Sequence, residues 1–286
     1  MATALSTLGY SADQFAPAEN RLLFRAKVVA YLESQLAVVL LMTKQESSAA
    51  GQSLVGHAVT ITGYRHSATT MNVPAPLHDL PSIAMRSASV EVVYVHDDNL
   101  GSHAHYELVD SAEVNEEGHE KLLLRRGRRN GPPLEGWSID EWTIESALVP
   151  KPEKLRMPIE SLFLDVIWFI ALLGDIFPGV DLHYNPHFKS GIEYRRSLSS
   201  RGFAGDDLWQ FQQELTLPRY IGVISVMMDD APLVDVVLDV SEVPTHADGP
   251  SVLAIVGTGI SRLSPAGLDL RGVAKFFGCP LILLPA

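Results

Sequence analysis

The chain has 286 residues, enough for one large core or two ordinary ones. With 47% hydrophobic and 20% charged residues it belongs with folded globular proteins and outside the disordered class. A formal net charge of −12, offset by no basic domain, argues against a nucleic-acid or anionic-membrane partner, and a single cysteine excludes an internal disulfide framework.

No charged, then apolar, then small-residue leader opens the sequence, which points to the cytoplasm. Residues 21–34 read as an amphipathic helix with Leu22, Leu23, Ala26, Val29, Ala30 and Leu32 turned inward. A buried strand is predicted over 36–42, followed by a Gln/Ser/Ala/Gly loop that carries the chain to His57. His57 then stands just ahead of an alternating strand ending in Gly63-Tyr64. Residues 65–89, rich in Pro, Ser and Met, read as an excursion over the surface of the kind that borders a cleft. A β-branched and aromatic strand over 92–97 closes on Asp97. Strands at 106–109, 121–125 and 142–149 follow, with a basic turn at 125–133 that reads as a solvated hairpin tip or a contact for an acidic partner.

Val149-Pro150-Lys151-Pro152 marks a boundary, because two prolines interrupt helix and strand alike, and the chain divides into 1–150 and 151–286. The apolar run 159–177 contains Asp165 and Asp175 and predicts a buried helix, with Pro158 in its first turn and Gly174 at its end. A membrane span would need about 20 apolar residues with few charges. A strand at 180–184, a helix at 206–215, a hairpin pairing 220–227 with 233–239, and strands at 251–256 and 280–284 complete an α+β module. No repeat or low-complexity tract is present.

Two residues carry chemistry. If their strands are antiparallel neighbours, His57 and Asp97 arrive at one edge of a sheet, in the arrangement of a base and the group that orients it. The alternative is a strand-edge histidine that caps a backbone group. Asp97, Asp98, His103 and His105, with His96 or His57, also form a dense loop whose His-x-His spacing is used by metal hydrolases. Against that stands the reading of exposed polar loop residues. His183 and His187 straddle Asn185-Pro186, which prevents a helical pair. A Gly-x-Ser-x-Gly elbow is missing, and Gly257-Thr258-Gly259 lacks the residues of a phosphate loop, so no cofactor is predicted.

Gly56-His57-Ala58-Val59 followed by Gly63-Tyr64, and the strand end Tyr94-Val95-His96-Asp97, resemble the papain-like cysteine peptidases of the bacteriocin-leader-processing, double-glycine type. The stretch from Ala30 to Leu40 is similar to the family's helix end and following strand, with Gln35 and Ala37 where Gly and Pro are usual. Residues 4–15 resemble its second helix and turn. The resemblance covers about a third of the chain. It implies a papain-like first half, an antiparallel sheet with helices, carrying peptide or amide hydrolysis with His57 as general base and Asp97 as its orienter. It also implies a nucleophilic cysteine ahead of both, and none occurs there. Cys279, next to Pro280 and a short apolar tail, reads as a small buried hydrophobe.

The expectation is therefore an α+β protein with a peptidase-like first half, incomplete at its start or stripped of its nucleophile, joined to a smaller α+β accessory half. As it stands the chain should show no cysteine-peptidase activity. The alternatives are a non-catalytic module that binds a peptide or protein, and a metal-dependent hydrolase.

Overall fold

The computed structural model describes residues 7–18, 20–48, 51–76, 80–115, 118–126, 140–177, 179–200, 216–229, 231–241, 249–257 and 270–283. They form a mixed α+β protein of mostly antiparallel sheets. Two compact units are present, Met1–Met71 with Arg86–Pro152, and Asn72–Met85 with Glu153–Ala286.

The first unit opens with strand β1 (Tyr10–Phe15) and helix α1 (Arg21–Glu33). Residues 10–15 are thus a strand, where the resemblance implied a helix and turn. Asn20 caps α1 by accepting the Leu23 N–H at 3.0 Å. At its other end Gln35 N–H bonds Leu32 C=O and Leu36 N–H bonds Tyr31 C=O, a Schellman pair that puts Gln35 at φ +58°. The helix is not amphipathic as expected. Every residue from Leu23 to Tyr31 is buried, Arg25 and Lys27 included. Arg25 reaches Leu108 C=O and Asp110 at 3.4 and 3.0 Å, which satisfies part of its guanidinium.

Strands β2 (Val38–Ser48) and β3 (Gly51–His66) follow as one long hairpin. Residues 43–48 and 51–56, read as a loop before His57, are therefore strand, held by cross-strand pairing. The chain then leaves for β4 (Met71–Val73) and β5 (Ile83–Met85), and residues 72–85 belong to the second unit. Val73, Ile83 and Met85 are fully buried, so the expected surface excursion gives three side chains to a core, while Asn72, Pro74 and residues 80–82 are exposed. Back in the first unit come a 3₁₀ turn (Ser87–Ser89), β6 (Val90–Asp97), β7 (Gly101–Val114), β8 (Glu120–Arg126) and β9 (Glu141–Pro152). Most of the basic turn at 125–133 lies outside the described residues.

Thr143 of β9 pairs with Thr43 of β2 on one side and with Leu123 of β8 on the other. This double pairing closes β2, β3, β6, β7, β8 and β9 into a six-stranded antiparallel barrel, with β1 added along the far half of β9. Alternation fills its interior: Val38, Leu40 and Met42, Val59 and Ile61, Val93 and Val95, Tyr106 and Leu108, Leu122 and Leu124, Trp142 and Ile144 are all buried. Pro150 and Pro152 lie inside β9, opposite Ala12 and Tyr10, and the second unit starts immediately after them.

In the second unit, helix α2 (Ile159–Ile176) runs through Gly174 to a cap at Phe177. Its exposed face includes Trp168, and among the described residues no helix is long and apolar enough to cross a membrane. A five-stranded sheet follows in the order β10 (Leu182–Ser190), β11 (Tyr220–Met228), β12 (Ala231–Asp239), β13 (Val252–Gly257), β14 (Leu281–Leu283), antiparallel except for the last pair. Helix α2 covers one face, where Gly222 leaves room for Leu162. Helix α3 (Gly191–Ser200) covers the other with Tyr194 and Leu198 against Ile221, Val223 and Val237. Helix α4 (Leu270–Phe277) precedes β14. The helix expected at 206–215 lies outside the described residues.

Candidate functional site at one mouth of the barrel

His57 lies in the middle of β3, opposite Met42, rather than at the start of a strand, and Asp97 is the last residue of β6. The two strands are antiparallel neighbours with Thr60 opposite His96. Since β3 runs past the end of β6 at this point, the His57 ring reaches back to the Asp97 carboxylate, with Nε2 3.2 Å from Oδ1. An ionised carboxylate can only accept, so Nε2 carries the proton and Nδ1 is the basic ring nitrogen.

Asp97 has two further donors. The Tyr106 hydroxyl of β7 bonds Oδ2 at 3.0 Å, and the Asn99 backbone N–H bonds Oδ1 at 2.8 Å. Burial pushes the carboxyl up, but the Asn99, Tyr106 and His57 bonds outweigh it and hold Asp97 below the ordinary carboxylate range. Burial, and then the bond to Asp97, drive the Tyr106 phenol upward, so it stays a donor. The Asp97 side chain is only 3% exposed and that of His57 16%.

Trp142 of β9 covers the His57 ring, with centroids 5.3 Å apart. Its indole N–H bonds Asp140 at 2.9 Å, and the Lys44 ammonium sits 4.4 Å from the Trp142 ring centre while pairing with Asp140 at 3.1 Å and Glu46 at 3.2 Å. Burial opposes the charge on Lys44, but those two carboxylates more than offset it and raise its ammonium above the usual range. Lys44, His57, Asp97, Tyr106 and Trp142 continue the inward-facing rows of five barrel strands. The apolar interior therefore ends in a polar layer at this mouth. Sequence reading missed Tyr106, Trp142, Lys44 and Asp140. A signal existed for Tyr106 and Trp142, which sit two residues from the inward Leu108 and Ile144.

The His/Asp cluster read as one loop is split by the barrel wall. Asp97 points inward, while His96, His103 and His105 are exposed on the outside. There the His105 ring stacks on Tyr94 at 5.6 Å and His103 contacts Thr62 at 3.5 Å. Among the described residues no three His, Cys, Asp or Glu side chains converge as metal ligands. The alternation that made His-x-His attractive is what turns Asp97 away from it. Cys279 belongs to the second unit, between α4 and β14, and is half-buried rather than buried. Burial raises its thiol and the C-terminal side of a helix does nothing to favour a thiolate.

The barrel wall carries a shallow open depression of about 400 Å³, bordered by Leu41, Met42, Thr43, Gly56, His57, Ala58 and Glu145 along β2, β3 and β9. Gly56 and Ala58, which flank His57 on β3, are both exposed along it. No family model, no curated protein and no solved structure matches this chain.

Proposed function

We propose that the chain is a non-hydrolytic peptide- or protein-binding protein, built on a scaffold similar to that of the papain-like cysteine peptidases, with His57 and Asp97 kept as a structural pair. The observation that carries the reading is the state of Asp97. Three donors occupy its carboxylate inside the barrel mouth, Trp142 covers its histidine, and the unit that holds both contains no thiol. A helix followed by an antiparallel sheet with His57 and Asp97 on neighbouring strands supports the peptidase-like ancestry. The Lys44 ammonium, partly exposed over the buried Trp142 ring, supports a binding role, since a cation fixed at the barrel mouth can meet a carboxylate of a peptide partner.

Hydrolysis of a peptide or amide is the second reading, favoured by the His57–Asp97 hydrogen bond alone. It needs a nucleophile that these residues do not supply. One experiment separates the two. A random displayed-peptide library is selected against the whole chain, and a mixture of fluorogenic peptides is incubated with it. Enriched peptides whose binding weakens on Lys44→Ala, with no turnover, support the binding reading. Turnover abolished by His57→Ala, or no enrichment over an unrelated acidic protein, overturns it.

A further inference from the structure

We infer that the depression on the barrel wall is a docking site for a lysine side chain of a protein partner. Its floor is apolar and its rim carries one carboxylate. Gly56 and Ala58 occupy the outward positions of β3 on either side of His57, and at Gly56 an added Cβ would meet nothing within 4 Å, so the hollow exists because a strand position lacks its side chain. Leu41 forms an apolar side, and Glu145 stands at the edge, exposed.

Glu145 has the Thr43 hydroxyl on Oε1 at 2.5 Å, and among the described residues no cation pairs with it. A chain of net charge −12 thus presents an unneutralised carboxylate beside an apolar hollow on its barrel wall. The complement is a cation on an alkyl stem, whose methylenes cover Leu41, Gly56 and Ala58 while its head reaches Oε2. With Oε1 engaged by Thr43, one carboxylate oxygen is left. That suits the point charge of an ammonium better than the two-pronged guanidinium of arginine.

The test follows the Leu41 and Ala58 methyl resonances of the full chain during titration with the N-acetyl methylamides of lysine, norleucine, arginine and glutamate. The lysine amide is expected to bind about fivefold more tightly than the norleucine amide, the advantage of one exposed ion pair. Glu145→Gln should remove that advantage, and Gly56→Leu should abolish saturable shifts while leaving the remaining methyl spectrum unchanged. Should Gly56→Leu fail to fold, Ala58→Leu fills the same hollow. Equal binding of the norleucine or glutamate amide, tighter binding of the arginine amide, shifts that survive the filling variant, or no saturable shift would each overturn the inference. The titration is read through Glu145 and Gly56, whereas the preceding experiment is read through Lys44 and His57, so the failure of one leaves the other standing.

Discussion

Asp97 keeps its charge at the barrel mouth because Asn99, Tyr106 and His57 all donate to it. His57 and Asn99 share Oδ1, whereas Tyr106 serves Oδ2, so removing its hydroxyl takes the donor from that buried oxygen. Tyr106→Phe is expected to destabilise the chain by about 1–3 kcal/mol at neutral pH. Since the folded Asp97 carboxyl lies below its unfolded value, this contribution is present above the ordinary carboxylate range and fades as pH falls through the folded value. Urea titrations of both proteins at pH 7 should therefore differ, and the gap should narrow below about pH 4. Asp165 behaves in the opposite way. It is 3% exposed in α2, its Oδ2 has no hydrogen-bond partner among the described residues, and burial pushes its carboxyl up to about 7. Its unfolded value is about 3.9, so the unfolded chain releases this proton first and Asp165 lowers stability progressively as pH rises from about 4 to 7. Asp165→Asn should raise stability at pH 8 by on the order of 1–3 kcal/mol and leave it nearly unchanged near pH 4, as denaturant midpoints would record. Gln35 holds the left-handed position that ends α1, where a Cβ costs energy. Gln35→Gly should raise stability by about 0.5–1 kcal/mol, read as a rise in melting temperature.

At the scale of elements, close approach decides which glycines tolerate a side chain. A Cβ at Gly191, the first residue of α3, would sit 2.3 Å from the Pro218 backbone oxygen. Backbone has no rotamer to yield, so Gly191→Ala should cost more than about 2 kcal/mol. At Gly222 the obstruction is the ends of Leu162 and Val240 at 2.9 Å, both side chains that turn aside, and the cost should be about 1–2 kcal/mol. Gly56→Ala meets open space and should stay within about 0.5 kcal/mol of the parent. Measuring the three unfolding free energies tests this order. The elements legible in the sequence were those whose pattern matched their surroundings. The hairpin β11–β12 reads as two apolar runs around a tight turn and is built that way, with Val223 opposite Val237. Helix α1 was found, but not its all-round burial, because Arg25 and Lys27 look like a solvent face until Asp110 and the packing around them are seen.

For the whole molecule, residues 72–85 matter more than their composition suggests. They leave the first unit between β3 and β6 and give the second unit Val73, Ile83 and Met85, each fully buried. Burying three such side chains contributes on the order of 5 kcal/mol, comparable with the entire stability of an ordinary domain. Residues 153–286 expressed alone should therefore lack fixed packing, showing weak near-ultraviolet dichroism and poor methyl dispersion. Appending residues 72–85 through a flexible linker should restore both. A well-dispersed spectrum from 153–286 without them would contradict the division described above.

By itself the sequence determined the α+β class of the protein and the strand that closes on Asp97. Both are written in local properties, alternation and β-branching. Only the tertiary structure decided that the first sheet closes on itself, because closure depends on Thr143 pairing to strands about twenty and a hundred residues away, and no local pattern encodes a partner. It also decided that Asp97 faces the barrel interior while His96, His103 and His105 face outward, which separates the residues that had read as one His/Asp cluster. The β6–β7 and β9–β2–β3 pairings brought Tyr106 onto Asp97 and Trp142 onto His57. A side chain's chemistry can be read from its residue type, but the donors around it are set by which strands become neighbours.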